Sequence, residues 1–184
     1  MKRNGFSLIE VLVVIAIVGV LATLGIVNYL RWISRYYVEN QVKELYSDIM
    51  KARVMAMSEN RKYFVSLSSN EYKIYGDTDP APNGDGSLST TSDAQIIPVP
   101  PATGTPTPWP GKAFRYTTIW SGGGTTSQID FNERGLANVQ RTICIYTDVN
   151  PLYDCVLVAP TRIILGKLNT PGGGCDSVNC SPKQ

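Results

Sequence analysis

The sequence predicts an α+β fold in which one long N-terminal α-helix packs on an antiparallel β-sheet. Residues 11–30 form an uncharged, mostly apolar run. Residues 31–58 contain no Pro or Gly and repeat their apolar side chains at helical spacing. Beyond about residue 60 the apolar period shortens from 3.6 towards 2, the mark of strands. At 184 residues the chain has room for one globular domain plus an extension.

The apolar run comes first. At about 1.5 Å per residue its 20 residues match a hydrocarbon core about 30 Å thick. Lys2 and Arg3 precede it, which places the N-terminus on the cytoplasmic side. An ordinary secretory signal has a shorter apolar stretch and a small-residue cleavage site after it, and this run has neither property. A plain membrane anchor fits the length but leaves Glu10 unexplained. A carboxylate in a membrane helix is costly, so its presence there points to function.

Composition excludes several other activities. Lys2 and Arg3 aside, 15 basic side chains face 15 acidic ones without a basic block, so nucleic acid is an unlikely partner. Histidine is absent, which removes the usual general base and the commonest metal ligand and argues against an enzyme. The four cysteines, at 144, 155, 175 and 180, do not follow zinc-site spacing. An even number outside the cytoplasm reads as disulfides.

The segment Lys2-Arg3-Asn4-Gly5-Phe6-Ser7-Leu8-Ile9-Glu10-Val11 resembles the leader and processing site of type IV prepilins and type II secretion pseudopilins. The resemblance covers about the first 30 residues. It implies a leader at 1–5 cut after Gly5 by prepilin peptidase, and N-methylation of the new Phe6 amine. It also implies a filament-core helix at 6–30 and an assembly role for Glu10, five residues into the mature chain. Partners would be other pilin or pseudopilin subunits and an inner-membrane assembly platform. The head would lie in the periplasm before entering a pilus or pseudopilus. Glu10, one turn after Phe6, sits near the positive end of the helix dipole, and a neighbour's N-terminal ammonium would match its charge. Gly19 fits the pattern. Val27 stands where many major pilins carry a kinking proline, so a straighter helix and a minor subunit are expected.

The helix should continue as an amphipathic segment over 31–58. Val38, Val42, Leu45, Ile49, Ala52 and Ala56 recur at spacings of four and three, a single stripe suited to packing on the domain's own sheet. From Phe6 to Ser58 such a helix would span about 80 Å. Tyr29, Trp32, Tyr36 and Tyr37, with Arg31 and Arg35, cluster where it leaves the apolar run. They suit a membrane-interface belt, and packing between subunits is a compatible role.

A β-sheet domain is expected over 59–168. Residues 62–68 and 71–75 alternate around a Ser-Ser-Asn turn and read as a hairpin. Further strands are expected at 113–120, 128–132, 141–147, 153–159 and 162–167. Between them lies a Pro/Gly/Ser/Thr-rich loop, 76–112, suited to contacting partners. In it Asp77, Asp79, Asn83 and Asp85 crowd oxygen ligands together, making them weak calcium candidates beside the plainer reading as turn formers. No other cofactor is indicated.

The order IDFNERGL, TICIYT, CVLVA and RIILGKL, with its Phe-x-x-x-Gly feature, resembles the C-terminal half of the GspH/FimT group of H-type pseudopilins and minor pilins. A basic Gly-Arg-x-Arg-like element found in the DNA-uptake member has no counterpart at 160–164. Cys144 and Cys155 are symmetric about the loop 148–151, so a cross-strand Cys144–Cys155 bridge is expected. Cys175–Cys180 would then staple a Gly-rich tail at 169–184. Crossed pairing, such as 144 with 175, stays open. The reading is a minor pilin or H-type pseudopilin near a filament tip or initiation complex. The alternatives are a binding module for DNA or adhesion on the same scaffold, and a major shaft pilin. Whether the machine is a pilus or a secretion pseudopilus is not written in these residues.

Overall fold

The computed structural model describes residues 7–82, 84–98 and 110–183. Its spine is α1, Leu8–Glu59, a single uninterrupted helix of 52 residues. The chain from Leu8 to Glu59 offers no proline to interrupt the i→i−4 ladder. Termination falls at Asn60, whose φ of 50° is left-handed, a conformation that Asn tolerates at a helix C-cap.

Ten strands follow. They are β1 Tyr63–Ser68, β2 Glu71–Gly76, β3 Ala94–Ile97, β4 Lys112–Ala113, β5 Thr118–Trp120, β6 Thr126–Phe131, β7 Arg141–Ile145, β8 Cys155–Val158, β9 Ile163–Leu168 and β10 Cys180–Pro182. They form not one sheet but two, each five-stranded: β3-β2-β1-β6 with β4 also on β2, and β10-β9-β8-β7-β5. Every pairing is antiparallel. The expected hairpin is present, with Ser66 opposite Lys73.

Both sheets lay one face on the second half of α1. The predicted stripe, Val38, Val42, Leu45, Ile49, Ala52 and Ala56, is at most 1% exposed. It shares one apolar core with Val65, Leu67 and Ile129 of the first sheet and Ile143, Val156 and Val158 of the second. Each large aliphatic side chain buried this way contributes about 1.5–3 kcal/mol of transfer free energy.

The strand expected at 113–120 is two strands, because Gln41 of α1 interrupts it. Its side-chain oxygen accepts from the Arg115 and Tyr116 N–H groups, both at 2.9 Å, and its amide donates to the Tyr116 carbonyl at 3.0 Å. Backbone groups spent on Gln41 are withdrawn from the ladder. Lys112 pins the returning end of the long loop to α1, reaching Asp48 at 2.7 Å and Glu44 at 2.8 Å. Tyr72 donates to the same Asp48 carboxylate at 2.6 Å.

The disulfides differ from the expected pairs. Cys144 does stand opposite Cys155 across β7 and β8. The bonds, however, run Cys144–Cys175 and Cys155–Cys180, with Cα separations of 5.9 and 6.1 Å, the spacing that bridges require. The reason lies in the tail. Both β-strand cysteines point to the face away from the main core, in a second cluster with Leu157 and Leu168. The tail folds back over that face and brings each of them a partner. Gly166 makes room: a Cβ there would lie 2.7 Å from the Cys180 sulfur and 3.0 Å from that of Cys155.

Candidate assembly surface

Among the described residues, the apolar side chains of α1 from Leu8 to Leu21 pack on no other part of the chain. Leu8, Ile9, Leu12, Ile15, Val18 and Leu21 are all exposed. This is the one helix, among the described residues, long and apolar enough to cross a membrane, and its most apolar window is 0% buried. A helix that is apolar all round and bare of protein contacts must find its apolar surroundings outside the chain.

Glu10 lies in the first turn of this segment, exposed, where the N-terminal end of the helix favours a negative charge. Ser7 occupies the N-cap position without a side-chain cap, and its carbonyl accepts from the Glu10 N–H at 3.1 Å. Gly5 and Phe6, the expected processing site, lie outside the described residues.

At the junction with the head the helix is fastened on one side. The Arg35 guanidinium donates to the Val149 carbonyl, and Glu39 accepts from the Leu152 N–H at 2.8 Å. The Arg115 guanidinium stacks on the Tyr37 ring, 3.6 Å from its centroid. Each contact ties a loop of the second sheet or its approach to α1. The head is thus fastened to the helix just beyond the bare segment.

The calcium candidates do not converge. Asp77 is 1% exposed, whereas Asp79 and Asp85 face solvent and Asn83 lies outside the described residues. Among the described residues no group of three or more His, Cys, Asp or Glu side chains is placed to hold a metal ion. The carboxylates organise backbone turns: Asp85 accepts from Ser87 N–H at 2.8 Å, and Asp77 from Gly86 N–H at 2.8 Å. Asp93, which sequence reading passed over, is buried and accepts from the N–H groups of Thr78, Asp79 and Ser89. Its signal is its place after Thr90-Thr91-Ser92, a polar run typical of turns, since Asp commonly captures backbone N–H groups there.

The Phe-x-x-x-Gly feature has a structural cause. Phe131 is 1% exposed in the core, and the chain then turns so that Gly135 lies against α1 with φ of 71°. A Cβ at that position would stand 2.8 Å from the Met57 sulfur. Asn132 closes the turn, accepting from Arg134 and Leu136 N–H groups, both at 3.0 Å. Only glycine meets both the left-handed backbone and the close approach at low cost.

A long helix half-bare and half-packed on antiparallel sheets defines a pilin-like subunit, and the comparisons agree. Residues 1–26 match the prokaryotic N-terminal methylation motif. Residues 41–161, more than half of the chain, match the type II transport protein GspH, and the protein belongs to that family. No curated protein and no solved structure matches the chain.

Proposed function

We propose that the protein is a minor pilin or H-type pseudopilin, cut after Gly5 by prepilin peptidase, N-methylated on Phe6 and built into a type IV pilus or type II secretion pseudopilus. Before assembly it is anchored in the inner membrane by residues 6–30, N-terminus in the cytoplasm and head in the periplasm. It then enters the filament at its tip or initiation complex. The observation that carries this is the division of α1: its second half is buried in its own head, and its first half is bare and holds one carboxylate at its beginning.

In this reading the bare half exchanges lipid for neighbouring helices during assembly. Glu10 is the one charged side chain between residues 6 and 30 and requires a partner once water is excluded, because an unpaired buried charge costs several kcal/mol. The methylated Phe6 amine of an adjacent subunit supplies it and fixes the axial register. The head gives the subunit its solvent-facing surface. Support comes from the N-terminal motif, the family and the helix division together.

Replacing Glu10 by Ala in cells carrying the assembly machinery tests this. The variant should be processed and held in the membrane at wild-type levels, and be strongly depleted from sheared filaments. Undiminished recovery in that fraction would remove Glu10 from the assembly step.

A further inference from the structure

Successive side chains of a strand point to opposite faces of its sheet. In the first sheet, Val65 and Leu67 of β1 and Tyr72 and Ile74 of β2 enter the core against α1. Phe64, Ser66 and Ser68 therefore share the other face with Glu71, Lys73 and Tyr75 of the paired strand. The outer face of an antiparallel sheet is commonly left to solvent. Here Phe64 is 0% and Tyr75 1% exposed, so one end of this face is covered.

Beside the covered end lies a cavity of about 160 Å³. Ser66, Ser68, Glu71, Lys73 and Tyr75 line it, together with Thr90 from the connection between β2 and β3. Asp93 steadies that connection next to Thr90, accepting from the Ser89 N–H at 2.8 Å. A water molecule's share of liquid volume is about 30 Å³, so the space is larger than one water needs. The Tyr75 hydroxyl is buried and has no hydrogen-bond partner among the described residues. Native interiors rarely leave such a group unpaired. Burial, and then the charge of Glu71, push its pKa up, so it stays a neutral hydroxyl able to donate and accept.

The other lining groups set the charge of what fits. Lys73 Nζ lies 3.1 Å from Glu71 Oε1, and Glu71 Oε2 accepts from the Gly111 N–H at 2.6 Å. The cavity thus carries one cation and one anion side by side. Lys73 would attract an anion that Glu71 repels, and a cation meets the reverse. Hydrogen-bonding capacity still remains, because an ammonium has three N–H donors and each carboxylate oxygen accepts more than one bond. Ser68 spends its hydroxyl on the Glu71 backbone across the hairpin turn. Adjacent donors and acceptors without net charge suit neighbouring hydroxyl groups, each of which donates and accepts at once.

We infer that this cavity binds a neutral sugar residue. Lys73 and Glu71 share a pair of adjacent sugar hydroxyls between them, and the Tyr75 hydroxyl pairs with the ligand at the buried end. The site lies on the face of the sheet opposite α1, so it is separate from the assembly surface and does not depend on the assembly reading.

The test titrates the full chain, held in a detergent without a sugar headgroup, and reads binding by saturation-transfer NMR. The probes are galactose, mannose and N-acetylglucosamine, with inorganic phosphate and acetate as ionic competitors. At least one sugar should bind saturably, and neither ion should displace it. Tyr75→Phe keeps the ring and deletes the unpaired hydroxyl. It should hold the wild-type thermal midpoint or exceed it, and weaken sugar binding about tenfold. Glu71→Gln leaves Lys73 unopposed, so it should weaken the sugar and admit phosphate, an exchange of preference that a purely structural role would not produce. Absence of saturable sugar binding, with only water in the cavity, would overturn the proposal. Sugar binding unchanged by both substitutions would place it elsewhere and overturn it equally. Phosphate held by the wild type more tightly than any of the sugars would replace it with an anion site.

Discussion

Asp77 follows β2 directly, 1% exposed, with the Gly86 N–H donating to one carboxylate oxygen and no partner for the other among the described residues. Burial pushes its carboxyl above the usual carboxylate range; the backbone N–H groups of Gly86 and Asp85 oppose this, and the neighbouring carboxylates of Asp93 and Asp85 reinforce it. The nearby cation, Lys62, spends its ammonium on the Gly86 carbonyl at 3.2 Å. A carboxyl whose folded pKa lies above its unfolded value favours the folded state fully at pH below the unfolded value. That contribution is lost as pH rises through the folded value. Asp77→Asn should therefore raise the thermal midpoint at neutral pH, with the gain shrinking towards pH 4. Thermal unfolding of the detergent-solubilised chain across that range checks it, and a variant less stable at pH 7 would contradict it. Spacing groups Asp77 with Asp79, Asn83 and Asp85, and spacing is all that a bare sequence offers. Burial depends instead on how the loop lies on the first sheet, so Asp93, eight residues beyond Asp85, proved the closer relative. Glu10 was legible for the opposite reason: a lone carboxylate opening an apolar run is conspicuous without any tertiary structure.

At the scale of elements, local periodicity carried α1 and most of the strands. The stripe from Val38 to Ala56 repeats with the helix, so its burial followed from spacing alone. The register of β7 on β8 followed from symmetry about a short loop, and Cys144 does face Cys155. What spacing could not supply was the path of the tail, which crosses the outer face of the second sheet and takes both sulfurs. β3 was hidden in the long loop because it is only four residues, Ala94–Ile97, with a buried Gln95 breaking the apolar run. β10 is shorter still, Cys180–Pro182. The crossed bridges close segments of 31 and 25 residues and hold the tail over Leu157 and Leu168. Replacing Cys155 and Cys180 together by Ser should cost about 2–4 kcal/mol in denaturant unfolding. A non-reduced digest should recover the Cys144 peptide joined to the Cys175 peptide; recovery of a Cys144–Cys155 pair would refute the crossed arrangement.

The whole molecule is one helix with two environments. Its second half completes a core with two sheets, and its first half, together with Tyr29, Trp32 and Tyr36, is exposed. That there are two sheets was not legible, since which strands pair is decided by contacts distant in sequence. The division of the helix was, because hydropathy along the chain records what each turn faces. Its consequence is a subunit whose head is closed by the second half of the helix while the first half is left bare. The most direct measurement is mass analysis of the N-terminal peptide of this protein recovered from sheared filaments. The account predicts a chain beginning at Phe6 with one methyl group on its amine. A chain in that fraction still beginning at Met1, or one cut beyond the apolar run, would contradict it.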